Sequence, residues 1–213
     1  TSPATAFLLK KLREKNIKNL KVFCSHKLIP PAMKALCNGG IELNAFLCPG
    51  HVSTIIGELP YREIAEQYKI PCIITGFEAI DILFGILKAL EFIGKGIVFN
   101  AYPRAVRIKG NERALSLLNE VFDITDTEWR GLGVIPESGY KIKDEFGDFD
   151  AENHYKIEVK SSEYPGCRCG DILKGIIEPP ACPYFGKKCT PENPLGPCMV
   201  SSEGTCSAYY KWR

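Results

Sequence analysis

Pro71-Cys-Ile-Ile-Thr75-Gly76-Phe77-Glu78-Ala-Ile-Asp81-Ile-Leu-Phe-Gly85-Ile-Leu-Lys-Ala-Leu-Glu-Phe92 reads as a strand that breaks and becomes a helix. Cys72-Ile-Ile centres an apolar run of strand length, and Gly76 ends it. From Glu78 to Phe92 the residues Ile80, Leu83, Phe84, Leu87 and Leu90 fall on one face at helical spacing. The same alternation runs upstream. Thr5 to Ile17 is predicted helical, with Ser2 and Pro3 as start signals and Phe7, Leu8, Leu12 and Ile17 on one side. Leu20 to Ser25 reads as a short strand, and Pro30 to Cys37 as a helix entered through proline and closed by Gly39-Gly40. Glu42 to Cys48 is a second strand, broken by Pro49-Gly50, with helical patterning in Val52–Ile56 and Arg62–Tyr68. Downstream, Ile97-Val98-Phe99 within Gly96–Val106 suits either state. Asn111 to Phe122 is a helix capped by Asn111, with Leu115, Leu118 and Phe122 inward. Strands alternating with helices at this spacing predict an α/β fold, an open, largely parallel sheet with helices on both faces.

That Rossmann-like domain is expected over residues 1–145, with Gly139–Lys143 as an edge strand. Charges dominate from Lys143 to Glu163, the pattern of a linker or surface crossing, and residues 146–213 form a second, Cys-rich module. The chain has 213 residues, room for one domain plus a small module. A formal charge of +2 with no dense basic run gives no electrostatic case for nucleic acid. No apolar run approaches membrane-spanning length. The chain opens on Thr1 and runs directly into helical patterning, so residues are expected to precede it. Cys24, Cys37, Cys48 and Cys72 each sit singly among apolar neighbours, the usage of a reducing, cytoplasmic compartment.

The tail is a different kind of sequence. Six of the ten cysteines, Cys167, Cys169, Cys182, Cys189, Cys198 and Cys206, fall among prolines and glycines that deny it long regular elements. A disulfide module, a zinc site and an iron–sulfur site each explain such density. Zinc modules usually pair their ligands as Cys-x2-Cys, which is absent. A cubane accepts ligands from separated turns, and Gly and Pro let backbone N–H groups face sulfur. Arg168, Lys174, Lys187 and Lys188 would offset its negative charge. Six thiols against four ligand positions leave a pair for disulfide chemistry.

Two strand ends carry polar punctuation, Cys48-Pro49-Gly50-His51-Val-Ser53 and Gly76-Phe77-Glu78-Ala-Ile-Asp81. In open parallel sheets ligands bind outside the carboxyl ends of strands, where these segments lie. The same residues also suit a plain turn and helix start, with Glu78 and Asp81 well placed at a positive helix end. No phosphate-binding glycine loop occurs. His26 and His154 stand alone and read as structural or solvent-facing.

With these segments, Trp129-Arg-Gly-Leu-Gly-Val-Ile-Pro136 and the stretch from Cys167 to Tyr210 included, the whole chain resembles the HypD family of [NiFe]-hydrogenase maturation factors. The resemblance implies a cytoplasmic scaffold and redox partner in building the Fe(CN)2CO group, working with a HypC-type chaperone and a HypE-type cyanide donor. It implies α/β domains joined to a [4Fe-4S] module similar to that of ferredoxin–thioredoxin reductase. The family's ligand spacing falls on Cys169, Cys182, Cys189 and Cys206. Cys167 and Cys198 are then the redox pair, with Cys198 replacing Cys169 as ligand the main alternative. The resemblance makes cleft residues of Cys48, Pro49, Gly50, His51, Ser53, Gly76, Phe77, Glu78 and Asp81. The family's Cys-Gly-x-His-x-His motif, which holds the iron carrying CN and CO, and its Gly-Pro-Gly-Cys-Pro-x-Cys motif have no counterpart in these 213 residues. Ala79 stands where the family usually has proline. The rival readings are a cluster-dependent thiol–disulfide oxidoreductase and a metal-stabilised interaction domain without chemistry.

Overall fold

The computed structural model describes residues 1–39, 43–157 and 164–213. Gly40 and Glu42, an expected helix stop and strand start, and the end of the expected crossing up to Glu163 lie outside the described residues. The chain divides into two compact units: Thr1–Lys34, Asn44–Thr125 and Glu137–Ile157 in the first, Ala35–Leu43, Asp126–Pro136 and the tail in the second.

In the chain α1 (Ser2–Glu14) and α2 (Ile29–Asn38) precede a parallel sheet of β1 (Phe46–Pro49), β2 (Cys72–Thr75) and β3 (Val98–Asn100) in that order, the sheet lying in the first unit. Cys48 pairs in register with Ile74, and Ile74 with Asn100. Helices α3 (Gly50–Ile56) and α4 (Leu59–Tyr68) connect β1 to β2, and α5 (Ala79–Glu91) connects β2 to β3. All of β2 is buried, which is why Cys72-Ile-Ile-Thr reads as a continuous apolar run rather than an alternation. Helix α6 (Glu112–Val121) starts where Asn111 Oδ1 accepts the Ala114 N–H at 3.0 Å, so the predicted cap is real. The ambiguous stretch resolves as a strand, with Pro103 beyond its end. Ala6, Leu9 and Leu12 of α1 pack with Leu118 and Val121 of α6 in the main core.

Three expectations change, and the direction of the α5 face, left open by the sequence, is settled. Leu20 to Ser25 is not a strand: Val22 makes a single parallel bridge to Asp150, its N–H reaching Phe149 O at 2.8 Å, so its partner is a turn rather than a sheet. The segment after Lys143 is no linker in its first half. Two 3-10 turns, Asp144–Phe149 and Ala151–Asn153, put Phe146, Phe149 and Ala151 into the core and leave the charges outside. The expected edge strand is the end of a longer β5 (Gly133–Ile142), paired with β4 (Phe122–Trp129). Arg130–Leu132 joins them, with Gly131 and Gly133 in the left-handed region at φ of 84° and 80°. Finally, α5 buries its small-residue face, Asp81, Gly85 and Ala89, and turns Ile80, Leu83, Leu87 and Leu90 to solvent.

The second unit contains short helices, α7 (Cys169–Leu173), α8 (Pro197–Val200) and α9 (Thr205–Trp212), linked by tight turns. Its buried cluster is Cys169, Ile172, Cys182, Cys189, Cys198, Met199 and Cys206. Five of those seven are cysteines, so sulfur occupies the place that aliphatic side chains fill in the first unit.

Candidate functional sites

At the carboxyl end of the parallel sheet the two punctuated segments meet the loop after β3. Asp81 is 6% exposed and receives both arms of Arg104, Nη1 to Oδ1 at 2.8 Å and Nη2 to Oδ2 at 2.6 Å. This bidentate pair holds the Asp81 carboxyl below the usual carboxylate range, its hydrogen bonds from Arg104 outweighing burial. Glu78 stands 3.5 Å from the same guanidinium, which lies 4.4 Å over the Tyr102 ring. Thr75 Oγ1 donates to Asp81 O at 2.8 Å, pinning the first turn of α5 to the strand end. His51 lies against Phe77 with centroids 4.3 Å apart and ring planes inclined by 37°, and both are exposed.

The glycines here answer to packing within the protein. A Cβ on Gly50 would come within 2.6 Å of Thr75 O and 2.9 Å of the Tyr102 ring. One on Gly76 would collide with the Asp81 carboxylate and approach Tyr102 to 2.8 Å. Gly76→Ala is therefore expected to destabilise the chain by about 1–3 kcal/mol, measured by urea unfolding, because the clamp must open to admit the methyl group.

Asp81→Asn tests the clamp by pH. A carboxyl with a depressed folded pKa stabilises fully above its unfolded value, about 3.9, and that stabilisation is lost as pH falls through the lower folded value. The parent should be the more stable at pH 7, and the gap to Asp81→Asn should close below about pH 4 in thermal unfolding scans.

The other strand-end residues point inward. Cys48 is 1% exposed, and hydrogen bonding with Cys72 together with burial pushes its thiol pKa well up. Ser53 is fully buried, donating to Pro49 O at 2.9 Å and meeting Tyr61 OH at 3.1 Å. Cys48 and Ser53 thus hold the loop from behind, while His51, Phe77, Glu78 and the unforeseen Arg104 face outward and the unforeseen Tyr102, half-buried, packs over Gly50 and Gly76. Sequence order hid Arg104: it lies 23 residues from Asp81, and only the parallel register brings the loops together. His26 bonds Thr5 Oγ1 at 3.1 Å and His154 bonds Asp148 O at 3.1 Å, both in structural roles.

In the second unit no disulfide joins any cysteine. Cys198 Sγ lies 2.6 Å from Cys169 Sγ and 3.3 Å from Cys206 Sγ. The contact with Cys169 lowers the Cys198 pKa, but the contact with Cys206 and burial prevail and push it up to about 12. The Leu195 N–H donates to Cys189 Sγ at 3.4 Å. Cys167 is half-buried, its sulfur over Gly196, where a Cβ would sit 2.5 Å away. It lines a cavity of about 300 Å³ with Arg130, Arg168, Cys169, Asp171 and Lys174. Among the described residues no three Cys, His, Asp or Glu converge as ligands of a single metal ion. A buried set of soft sulfur donors on short helices and turns, with a backbone N–H aimed at one, suits iron–sulfur or zinc binding by donor type. Among the described residues no helix is long and apolar enough to cross a membrane.

Comparison with known proteins identifies the family. The family described as "HypD: Hydrogenase formation hypA family" matches residues 1–213. A protein of Methanocaldococcus jannaschii is 44% identical over 216 residues, covering 100% of this chain and 60% of its own length. Hydrogenase maturation factor HypD1 of Bradyrhizobium diazoefficiens is 41% identical and HypD of Azotobacter vinelandii 40%, each alignment covering 100% of this chain and 59% of the relative. The chain thus spans about three fifths of the length of these relatives. Matched from its first residue to its last, it belongs to the HypD family.

Proposed function

We propose that this chain acts in the cytoplasm as the cluster-bearing part of a hydrogenase maturation scaffold and redox partner, serving assembly of the Fe(CN)2CO group. The observation that carries the reading is the composition of the second unit's interior: five buried cysteines where a small unit needs a staple. Cys169, Cys182, Cys189 and Cys206 would hold a [4Fe-4S] cluster, which when bound supplies one-electron chemistry. The chain's own residues keep water from those thiols, and the Leu195 N–H points at the Cys189 sulfur. Cys167 and Cys198 are the proposed dithiol pair. The main alternative has Cys198 in place of Cys169 as ligand, the two sulfurs lying close together. The outward residues His51, Phe77, Glu78 and Arg104 would face the guest iron with its CN and CO ligands, in concert with HypC-type and HypE-type partners.

The open cavity beside Cys167 also suits thiol–disulfide exchange with a protein substrate, the chemistry of ferredoxin–thioredoxin reductase. Anaerobic purification followed by iron and sulfide analysis tests the proposal. About four of each per chain is expected. A colourless protein with one zinc would overturn it, and a pull-down with a HypC-type chaperone separates scaffold from free-standing reductase.

A further inference from the structure

The cavity beside Cys167 is lined by residues of the second unit alone, and its walls are braced. Gly166, in the left-handed region at φ of 81°, makes a turn that the Cys167 N–H closes onto Tyr164 O at 3.0 Å. Opposite, a Cβ on Gly170 would come within 2.6 Å of Gly131 O, so the turn that carries Arg130 packs directly on α7. The stem of Lys174 lies over Gly39, where a Cβ would stand 3.2 Å from Cε. Three cations, Arg130, Arg168 and Lys174, share the lining with two carboxylates, Glu128 and Asp171. Arg168 Nε donates to Asp171 Oδ2. Among the described residues neither Arg130 nor Lys174 forms an ion pair, and the lining keeps one positive charge in excess. At about 300 Å³ the space is at the small end of ligand sites, enough for a disulfide and the groups next to it.

We propose that this cavity selects disulfides that carry a carboxylate close to sulfur, with Arg130 and Lys174 as the anion subsite and Cys167 as the attacking thiol. The proposal rests on the reading of Cys167 as an exchange thiol. In the step, Cys167 gives its proton to solvent and its sulfur bonds to one sulfur of the incoming disulfide. The S–S bond of that disulfide breaks, and its other half leaves as a thiolate. Cys167 is thereby oxidised and the departing sulfur reduced, with no further reactant. Holding the carboxylate positions the disulfide for attack, and the excess positive charge raises its concentration at the cavity mouth. A small disulfide and an acid-flanked disulfide at the tip of a protein loop share this chemistry.

Two reagents of similar size test it: dithiodipropionate, with a carboxylate on each arm, and cystamine, with an ammonium on each. Each is offered to the anaerobically purified, reduced chain, and mixed disulfide at Cys167 is measured by peptide mass spectrometry. Dividing each rate by that of the urea-unfolded chain removes the reagents' own difference in reactivity. The anion should react roughly tenfold faster at low salt, and the gap should shrink in about 1 M salt. Cys24, half-buried beside Asp150 and Glu152, is the internal reference and should not share the preference. Arg130→Gln combined with Lys174→Gln should bring the ratio to about one, and the single variants serve if the double variant misfolds. A disulfide-closed peptide with glutamate-flanked cysteines, set against its lysine-flanked counterpart, distinguishes the sources: a preference between peptides alone assigns the subsite to a protein loop. Equal rates within both pairs, or a preference that survives the substitutions in a folded chain, would overturn the proposal. So would variants that lose iron with the ratio unchanged, the mark of cations that serve only a cluster. Cys167 labelled by no reagent sinks the exchange reading and this proposal with it, whereas equal labelling sinks the subsite alone.

Discussion

Cys189→Ser is expected to leave the chain nearly devoid of iron after anaerobic reconstitution, against about four iron atoms per chain for the parent. Cys189 is buried, closes the turn from Tyr184 through its N–H to Tyr184 O at 2.9 Å, and accepts the Leu195 N–H on sulfur. Serine keeps the turn but offers a harder, shorter-reaching oxygen that remains protonated at neutral pH, a poor substitute for thiolate. Cys167→Ser is the matched control. Its sulfur is half-buried and borders the open cavity, so iron should persist while the native protein loses one labelled thiol. Loss of iron from Cys167→Ser with retention in Cys189→Ser would reverse the assignment of ligand and redox thiol.

The second large effect is structural. Phe146→Ala should lower the unfolding free energy by about 3–5 kcal/mol in chemical denaturation, with little change in iron content. The ring is 1% exposed, belongs to the core built by Leu9, Leu12 and Val121, and carries the Arg13 guanidinium 4.9 Å from its centroid. Its removal leaves a hole among α1, α6 and β5, elements too tightly packed to collapse into it. A loss under 1 kcal/mol would return the segment after Lys143 to the surface.

Phe146 also marks where sequence reading ran out. Strand–helix alternation and the Asn111 cap were legible because they are local: period, breaker and cap lie within a few residues of one another. In Asp144-Glu-Phe-Gly-Asp-Phe149 the charges outnumber the aromatics, yet a 3-10 turn with its tighter repeat puts both phenylalanines on one side. Helix α5 misleads in the other direction: its period is helical, but periodicity does not say which face meets the sheet. Gly85 and Ala89 let the helix approach β2 closely, and that close approach leaves the larger residues outside. In the tail, cysteine density was plain, but residue spacing did not foretell that Cys198 would lie nearer Cys169 than any hydrogen-bond limit requires. Arg104 was invisible for the reason β-pairing always hides partners: the contact is made across strands.

Cys48 and Cys72 sit on adjacent strands with their thiols against each other and almost no solvent contact. An alkylating reagent applied to the native fold will leave that couple unlabelled until the sheet itself opens. Their modification is thus an internal gauge of global unfolding, read in the same mass spectrum as the more accessible sulfur of Cys167 near Gly196.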